Sequence, residues 1–90
     1  PNAETIPTIG GMVLDAAAAF GKVLRELRRK VGLSQEELGF AAGLQRNFVS
    51  LLELGRKQPT ITTMLKLAKP LGLKFSEIAQ MVEECLEAGE

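Results

Sequence analysis

Gln35-Glu36-Glu37-Leu38-Gly39-Phe40-Ala41-Ala42-Gly43-Leu44-Gln45-Arg46-Asn47-Phe48-Val49-Ser50-Leu51-Leu52-Glu53-Leu54 is the stretch on which the reading of this chain turns. Leu38, Ala42, Leu44, Val49 and Leu52 fall on one face of two short helical segments. Gln45, Arg46, Asn47 and Ser50 fall on the opposite face of the second. Gly43 sits between the segments, where a tight turn needs a positive φ that costs glycine little. Gly39 is small at the point where the two helices have to approach. It is the joint spacing, more than any one residue, that marks residues 35–54 as a helix-turn-helix unit.

Working outward, a first helix is predicted from about Ala16 to Val31. Asp15 is its N-cap, Ala16, Ala19, Phe20, Val23, Leu24, Leu27 and Val31 its apolar stripe, and Gly32 its stop. Arg28, Arg29 and Lys30 in the last turn suit the negative end of the helix dipole. Ser34-Gln35-Glu36-Glu37 reads as a capping box opening the second helix, with Leu33 placed to staple onto Leu38. The third helix is predicted over about Gln45 to Leu54, stopped by Gly55 and followed by the basic loop Arg56-Lys57-Gln58-Pro59. A fourth begins after Thr60 and should end or kink near Lys69, because Pro70 cannot donate a helical hydrogen bond. A fifth, about 76–86, is capped by Ser76 and striped by Phe75, Ile78, Ala79, Val82, Cys85 and Leu86. Residues 1–11 have no periodicity and read as a flexible N-terminal arm, or as a tail added ahead of a natural start at Met12. Residues 12–90 then form a single domain, with no repeat, linker or strand pattern.

Ninety residues allow one modest core. With 46% hydrophobic and only 4% aromatic residues, that core has to be aliphatic. One Cys and no His exclude an intrachain disulfide and a standard zinc site, and make a reducing cytoplasm the expected location. No apolar run reaches the roughly 18 residues that cross a membrane, and no basic-then-apolar leader opens the chain. Catalysis has no support either: there is no His, no carboxylate pair in a pocket-like context and no Gly-rich phosphate loop, and no cofactor is expected. The net charge of zero hides an asymmetry. All 11 Lys and Arg lie between Lys22 and Lys74 with only four acids, a window of net +7, and the remaining acids flank it. A clustered basic stripe is the electrostatic footprint of phosphate binding, although most charge runs are only solvated faces. Together with the helix-turn-helix it points to double-stranded DNA.

Residues 20–80 resemble a Cro/cI-type helix-turn-helix domain, the family of phage repressors and xenobiotic-response-element (XRE) regulators. The matching residues are Leu24, Leu27, Arg28, Gly32 to Leu38, Gly43-Leu44, Val49-Ser50, Glu53, Gly55-Arg56, Pro59, Leu65, Leu67-Ala68 and Leu71-Gly72. The run Leu44 to Ser50 is similar to the recognition helices of restriction–modification controller proteins. The resemblance implies an all-α, compact five-helix, lambda-repressor-like DNA-binding domain. Three residues depart from the family pattern. Leu54 replaces a polar or basic residue near the DNA backbone, Pro70 a small helix former, and Leu51 a long polar base reader.

At the start of the third helix, Arg46 is placed to pair bidentately with O6 and N7 of guanine, and Asn47 with N6 and N7 of adenine, unless Asn47 serves the helix cap. Gln45 either touches a base or caps the helix. Ser50, one turn on, reaches a phosphate or a base. Leu51 and Leu54 read as two exposed leucines, packing on a thymine methyl or belonging to a protein contact. The resemblance implies that Gln35 donates to a phosphate as the second helix crosses the backbone. It also implies that Arg28 and Glu53 form a structural ion pair. Arg56 and Lys57 are expected beside the opposite backbone strand. The expected activity is sequence-specific transcriptional regulation, as a repressor or controller. A homodimer would bind a palindromic operator, with RNA polymerase blocked or recruited and the edges of the fifth helix, extended by Met81, serving the partner. The alternative is a protein-interaction module such as an antitoxin-like subunit, suggested by Leu51, Leu54 and the acidic C-terminal end.

Overall fold

The computed structural model describes residues 8–9, 12–13 and 15–89, with side chains over 15–89. The expected boundary near residue 11, and any account of an N-terminal arm, fall largely outside them. Two residues each of β1 (Thr8–Ile9) and β2 (Met12–Val13) pair antiparallel, Thr8 with Val13 and Ile9 with Met12. No strand was legible in the sequence there, since two residues are too few to show alternation.

Five helices follow: α1 (Ala16–Val31), α2 (Gln35–Ala42), α3 (Arg46–Glu53), α4 (Ile61–Leu71) and α5 (Phe75–Glu87). They form a compact all-helical domain. Side-chain caps open three of them. Asp15 Oδ1 accepts from the Ala18 N–H at 2.9 Å, Ser34 Oγ from the Glu37 N–H at 3.0 Å and Thr60 Oγ1 from the Thr63 N–H at 3.1 Å. The capping box is complete, because Glu37 accepts from the Ser34 N–H at 2.8 Å.

Two elements differ from the sequence expectation. The N-cap of α5 is Lys74, not Ser76. A lysine side chain has no acceptor for a helix N–H, so the end is closed from the other side, by the Glu77 carboxylate accepting from the Lys74 N–H at 2.8 Å. In α4 the helix passes through Pro70 to Leu71 instead of stopping at Lys69. The proline removes one bond in the last turn only. That turn is held by burial of Leu71 and by the Leu73 N–H donating back to the Ala68 carbonyl at 3.0 Å.

Every helix sends a fully buried aliphatic side chain inward: Leu24 from α1, Leu38 from α2, Val49 and Leu52 from α3, Leu67 from α4 and Ile78 from α5. Each such burial stabilises the fold by roughly 1.5–3 kcal/mol. Phe20, Val23, Ala42, Ala68 and Leu71 complete the cluster. Val31, expected on the apolar stripe of α1, is exposed in the last turn.

The most constrained contact joins α1 to α3. A Cβ placed on Gly21 would lie 2.4 Å from the Leu52 carbonyl oxygen and 2.6 Å from that of Glu53. The α1 backbone therefore lies directly against the end of α3. Within residues 35–54, Gly43 has φ +72° and lets the Leu44 N–H donate to the Gly39 carbonyl at 2.7 Å. A Cβ on Gly39 would meet the Leu44 oxygen at 2.7 Å, so both glycines serve the same turn. The result is a short α2 and α3 held in fixed relation, with one face of α3 anchored by Val49 and Leu52 and the other turned out of the domain.

Candidate nucleic-acid interface

The eight residues of α3 span about 12 Å at 1.5 Å per residue, comparable to the width of a DNA major groove. Val49 and Leu52 point inward and Phe48 is half-buried beside them. Helical spacing then puts Asn47 at the centre of the outward face, with Ser50 and Leu51 on either side and Arg46 at its α2 edge. Arg46 borders a polar surface hollow that it shares with Arg28, Ser34, Gln35 and Glu36.

Gln45, Arg46 and Asn47 are exposed, and among the described residues their side chains make no hydrogen bond within the chain. Gln45 occupies the N-cap position of α3, yet its side chain does not cap; the Phe48 and Val49 N–H groups donate to its backbone carbonyl at 3.0 and 3.1 Å. Asn47 does not cap either. Ser50 is half-buried.

Of the two leucines expected to be exposed, only Leu54 is, at 59%. Leu51 is half-buried. Arg56 and Lys57 are exposed in the loop after α3. Ten of the eleven basic side chains are exposed; the exception is Arg28.

Arg28 is bound to Glu53 through two bonds, Nε to Oε2 at 2.6 Å and Nη2 to Oε1 at 3.0 Å, and its Nη1 donates to the Leu33 carbonyl at 2.9 Å. The Glu53 side chain is only 4% exposed. The hydrogen bonds it donates to Glu53, with the charge of that carboxylate, hold the Arg28 guanidinium above its already high ordinary pKa, against the opposing pull of burial. Gln35 joins the same carboxylate, Nε2 donating to Glu53 Oε1 at 3.0 Å. This third member was not legible in the sequence: nothing in the spacing of 35 and 53 says that the start of α2 meets the end of α3. The network ties the end of α1, the start of α2 and the end of α3 together beside the outward face of α3.

Two further features went unread. Gly21 lies mid-helix, where glycine costs about 1 kcal/mol relative to alanine, and that cost was the available signal of a close contact. Phe40 is 89% exposed on the outer side of α2. Among the described residues no group of three His, Cys, Asp or Glu could hold a metal, and no helix is long and apolar enough to cross a membrane.

An anchored short helix with an unpartnered polar face, beside a basic loop, defines a helix-turn-helix DNA-binding protein. The chain belongs to the HTH_3 helix-turn-helix family, the XRE or Cro/cI-type regulators, whose model matches residues 24–78. It is 35% identical over 71 residues to y4dJ, an HTH-type transcriptional regulator of Sinorhizobium fredii (strain NBRC 101917 / NGR234), covering 79% of this chain and 92% of that one. It is 40% identical over 63 residues to the HTH-type transcriptional regulator PuuR of Escherichia coli (strain K12), covering 70% of this chain but only 34% of PuuR. The crystal structure of the restriction–modification controller protein C.AhdI from Aeromonas hydrophila superposes with a TM-score of 0.69 at 40% identity, covering 72% of this chain and 98% of that one. The protein is thus a DNA-binding transcriptional regulator and not an enzyme.

Proposed function

We propose that this protein binds a palindromic operator as a homodimer, with α3 of each copy in the major groove, and regulates transcription as a repressor or controller by blocking or recruiting RNA polymerase. The observation that carries the reading is the outward face of α3, where Gln45, Arg46 and Asn47 are exposed and unbonded within the chain. Polar side chains held on an anchored helix and left without internal partners suit direct readout of base edges. In this reading Gln45, Arg46, Asn47, Ser50 and Leu51 face the bases. Arg56 and Lys57 neutralise phosphates. Gln35 uses the second hydrogen of its Nε2 for a phosphate while the first stays on Glu53. Arg28 and Glu53 take no part in contact and hold the frame. Identity to C.AhdI, a controller protein, supports the controller-type reading.

The test is selection of bound fragments from sheared genomic DNA at near-physiological salt. Enrichment of a palindrome with half-sites about 34 Å apart is the expected result. Recovery of no common sequence, with weak binding that vanishes in salt, would overturn it. A protein-interaction module is the second reading, favoured by the exposure of Phe40 and Leu54. It predicts a complex insensitive to salt, where DNA binding weakens steeply.

A further inference from the structure

The polar hollow beside Arg46 is lined by Arg28, Ser34, Gln35, Glu36 and Arg46 itself. Three of these five side chains are already engaged. Arg28 and Gln35 are bonded to Glu53, and Ser34 caps α2. The neighbouring acid, Glu37, is taken up by the Ser34 N–H in the capping box. Glu36 and Arg46 remain, both exposed and without an internal partner among the described residues. They carry opposite charge and come from different helices, α2 and α3. Glu36 has no place among the base and phosphate contacts. A carboxylate in the first turn suits the positive end of the α2 dipole, which accounts for its presence at a helix start. Here, though, it adjoins Gln35, where a phosphate contact is read, and by charge alone it weakens binding to every duplex. Its place in the hollow of Arg46 supplies an offsetting gain.

We propose that Glu36 is a positioning residue for Arg46. With the Arg46 guanidinium on guanine, the Glu36 carboxylate accepts from N–H groups that the base leaves over and so fixes the orientation of the fork. A guanidinium has five N–H donors in a rigid plane, and O6 and N7 of guanine take only two of them. Without a second anchor, a long arginine side chain is free to swing to a neighbouring phosphate or to another acceptor on a base edge. With one, the arrangement that satisfies both partners is the bidentate pair with guanine. Glu36 therefore acts on discrimination and opposes bare affinity, two effects of opposite sign from one carboxylate. It is the one acid lining the hollow. Glu53, on α3 itself, is enclosed and committed to Arg28 and Gln35. This inference rests on the reading of α3 in the major groove and names what sets the preference of its first arginine.

The test is a double-mutant cycle on Glu36 and Arg46 in the full chain, with circular dichroism confirming that each variant is folded. Fluorescence anisotropy would compare the selected operator, its single-base variants and an unrelated duplex of the same length. Glu36→Gln removes the charge and keeps the shape. Affinity for the unrelated duplex should rise, because a repulsion is gone. Guanine preference at the position that Arg46→Ala relaxes should fall about two- to fivefold, the range of an exposed ion pair. In the Arg46→Ala background, Glu36→Gln should raise all affinities alike and change no base preference. A role confined to the helix dipole moves thermal stability and leaves base preference where it was. An equal rise for every duplex, with guanine preference intact, would overturn the proposal. So would a loss of preference that persists once Arg46 is gone, since Glu36 would then act on the DNA directly. Both outcomes leave the reading of α3 standing. If Arg46→Ala itself relaxes no position, that reading fails and this inference with it.

Discussion

Arg46 and Glu53 lie seven residues apart on α3 and show how one short helix separates two tasks. Arg46 ends in solvent with no internal partner, and Glu53 is almost wholly enclosed and accepts three hydrogen bonds from Arg28 and Gln35. Their substitution should therefore fail in different assays. Arg46→Ala should leave thermal stability unchanged but cost about 1–3 kcal/mol in operator binding and relax preference at one base position, read by competition among single-base operator variants. Equal affinity for every variant would refute the placement of α3. Glu53→Ala should lower stability by about 3 kcal/mol in urea denaturation, because it strands a partly buried guanidinium. A raised folded pKa on Arg28 means that the arginine's share of this stability is complete below its unfolded value and is lost only as pH climbs through the folded one. The stability gap between wild type and Arg28→Ala should accordingly not narrow between about pH 7 and 10.

Among the elements, α1 is positioned by a side chain it lacks. Gly21→Ala should cost several kcal/mol even though alanine is the better helix former. Its Cβ would be driven into the Leu52 and Glu53 carbonyls, which are backbone and cannot rotate away. Chemical denaturation will show whether packing outweighs propensity here. An unchanged or raised midpoint would mean that α1 and α3 are less closely held. The opposite sign is expected in α4. Pro70→Ala restores a donor to the last turn and should raise stability, by at most the roughly 3 kcal/mol an interior proline costs. Leu71 and Gly72 already close that turn without it.

For the whole molecule, zero net charge is no guide to its field. Exposed basic residues run from Lys22 to Lys74, and the acids gather on α5 at Glu77, Glu83, Glu84 and Glu87. Operator affinity should fall linearly on a log–log plot against salt, with a slope near −0.9 for each phosphate neutralised. Lys57→Ala should weaken all sequences alike and reduce that slope by about one. Retention of the full slope would remove Lys57 from the phosphate contacts.

Local rules in the sequence determined the helix order, the caps at Asp15 and Ser34, the turn at Gly43 and the inward set of Leu24, Leu38, Val49, Leu52, Leu67 and Ile78. Capping, glycine stops and 3.6-residue periodicity act over one or two turns, so they are written in neighbouring residues. The same locality explains the limits. Ser76 satisfied a capping pattern two residues late, and Pro70 counted as a stop because its missing hydrogen bond was visible while the burial of Leu71 was not. Tertiary structure alone decided that Gly21 abuts α3, that Gln35 reaches Glu53, that Leu51 is half-covered while Leu54 is not, and that Ile61 and Leu65 of α4 stay exposed while no large apolar side chain of α5 does among the described residues. Each of these depends on two segments distant in sequence meeting in space, and a helix's own periodicity records which face is apolar but not how much of that face its neighbours can cover.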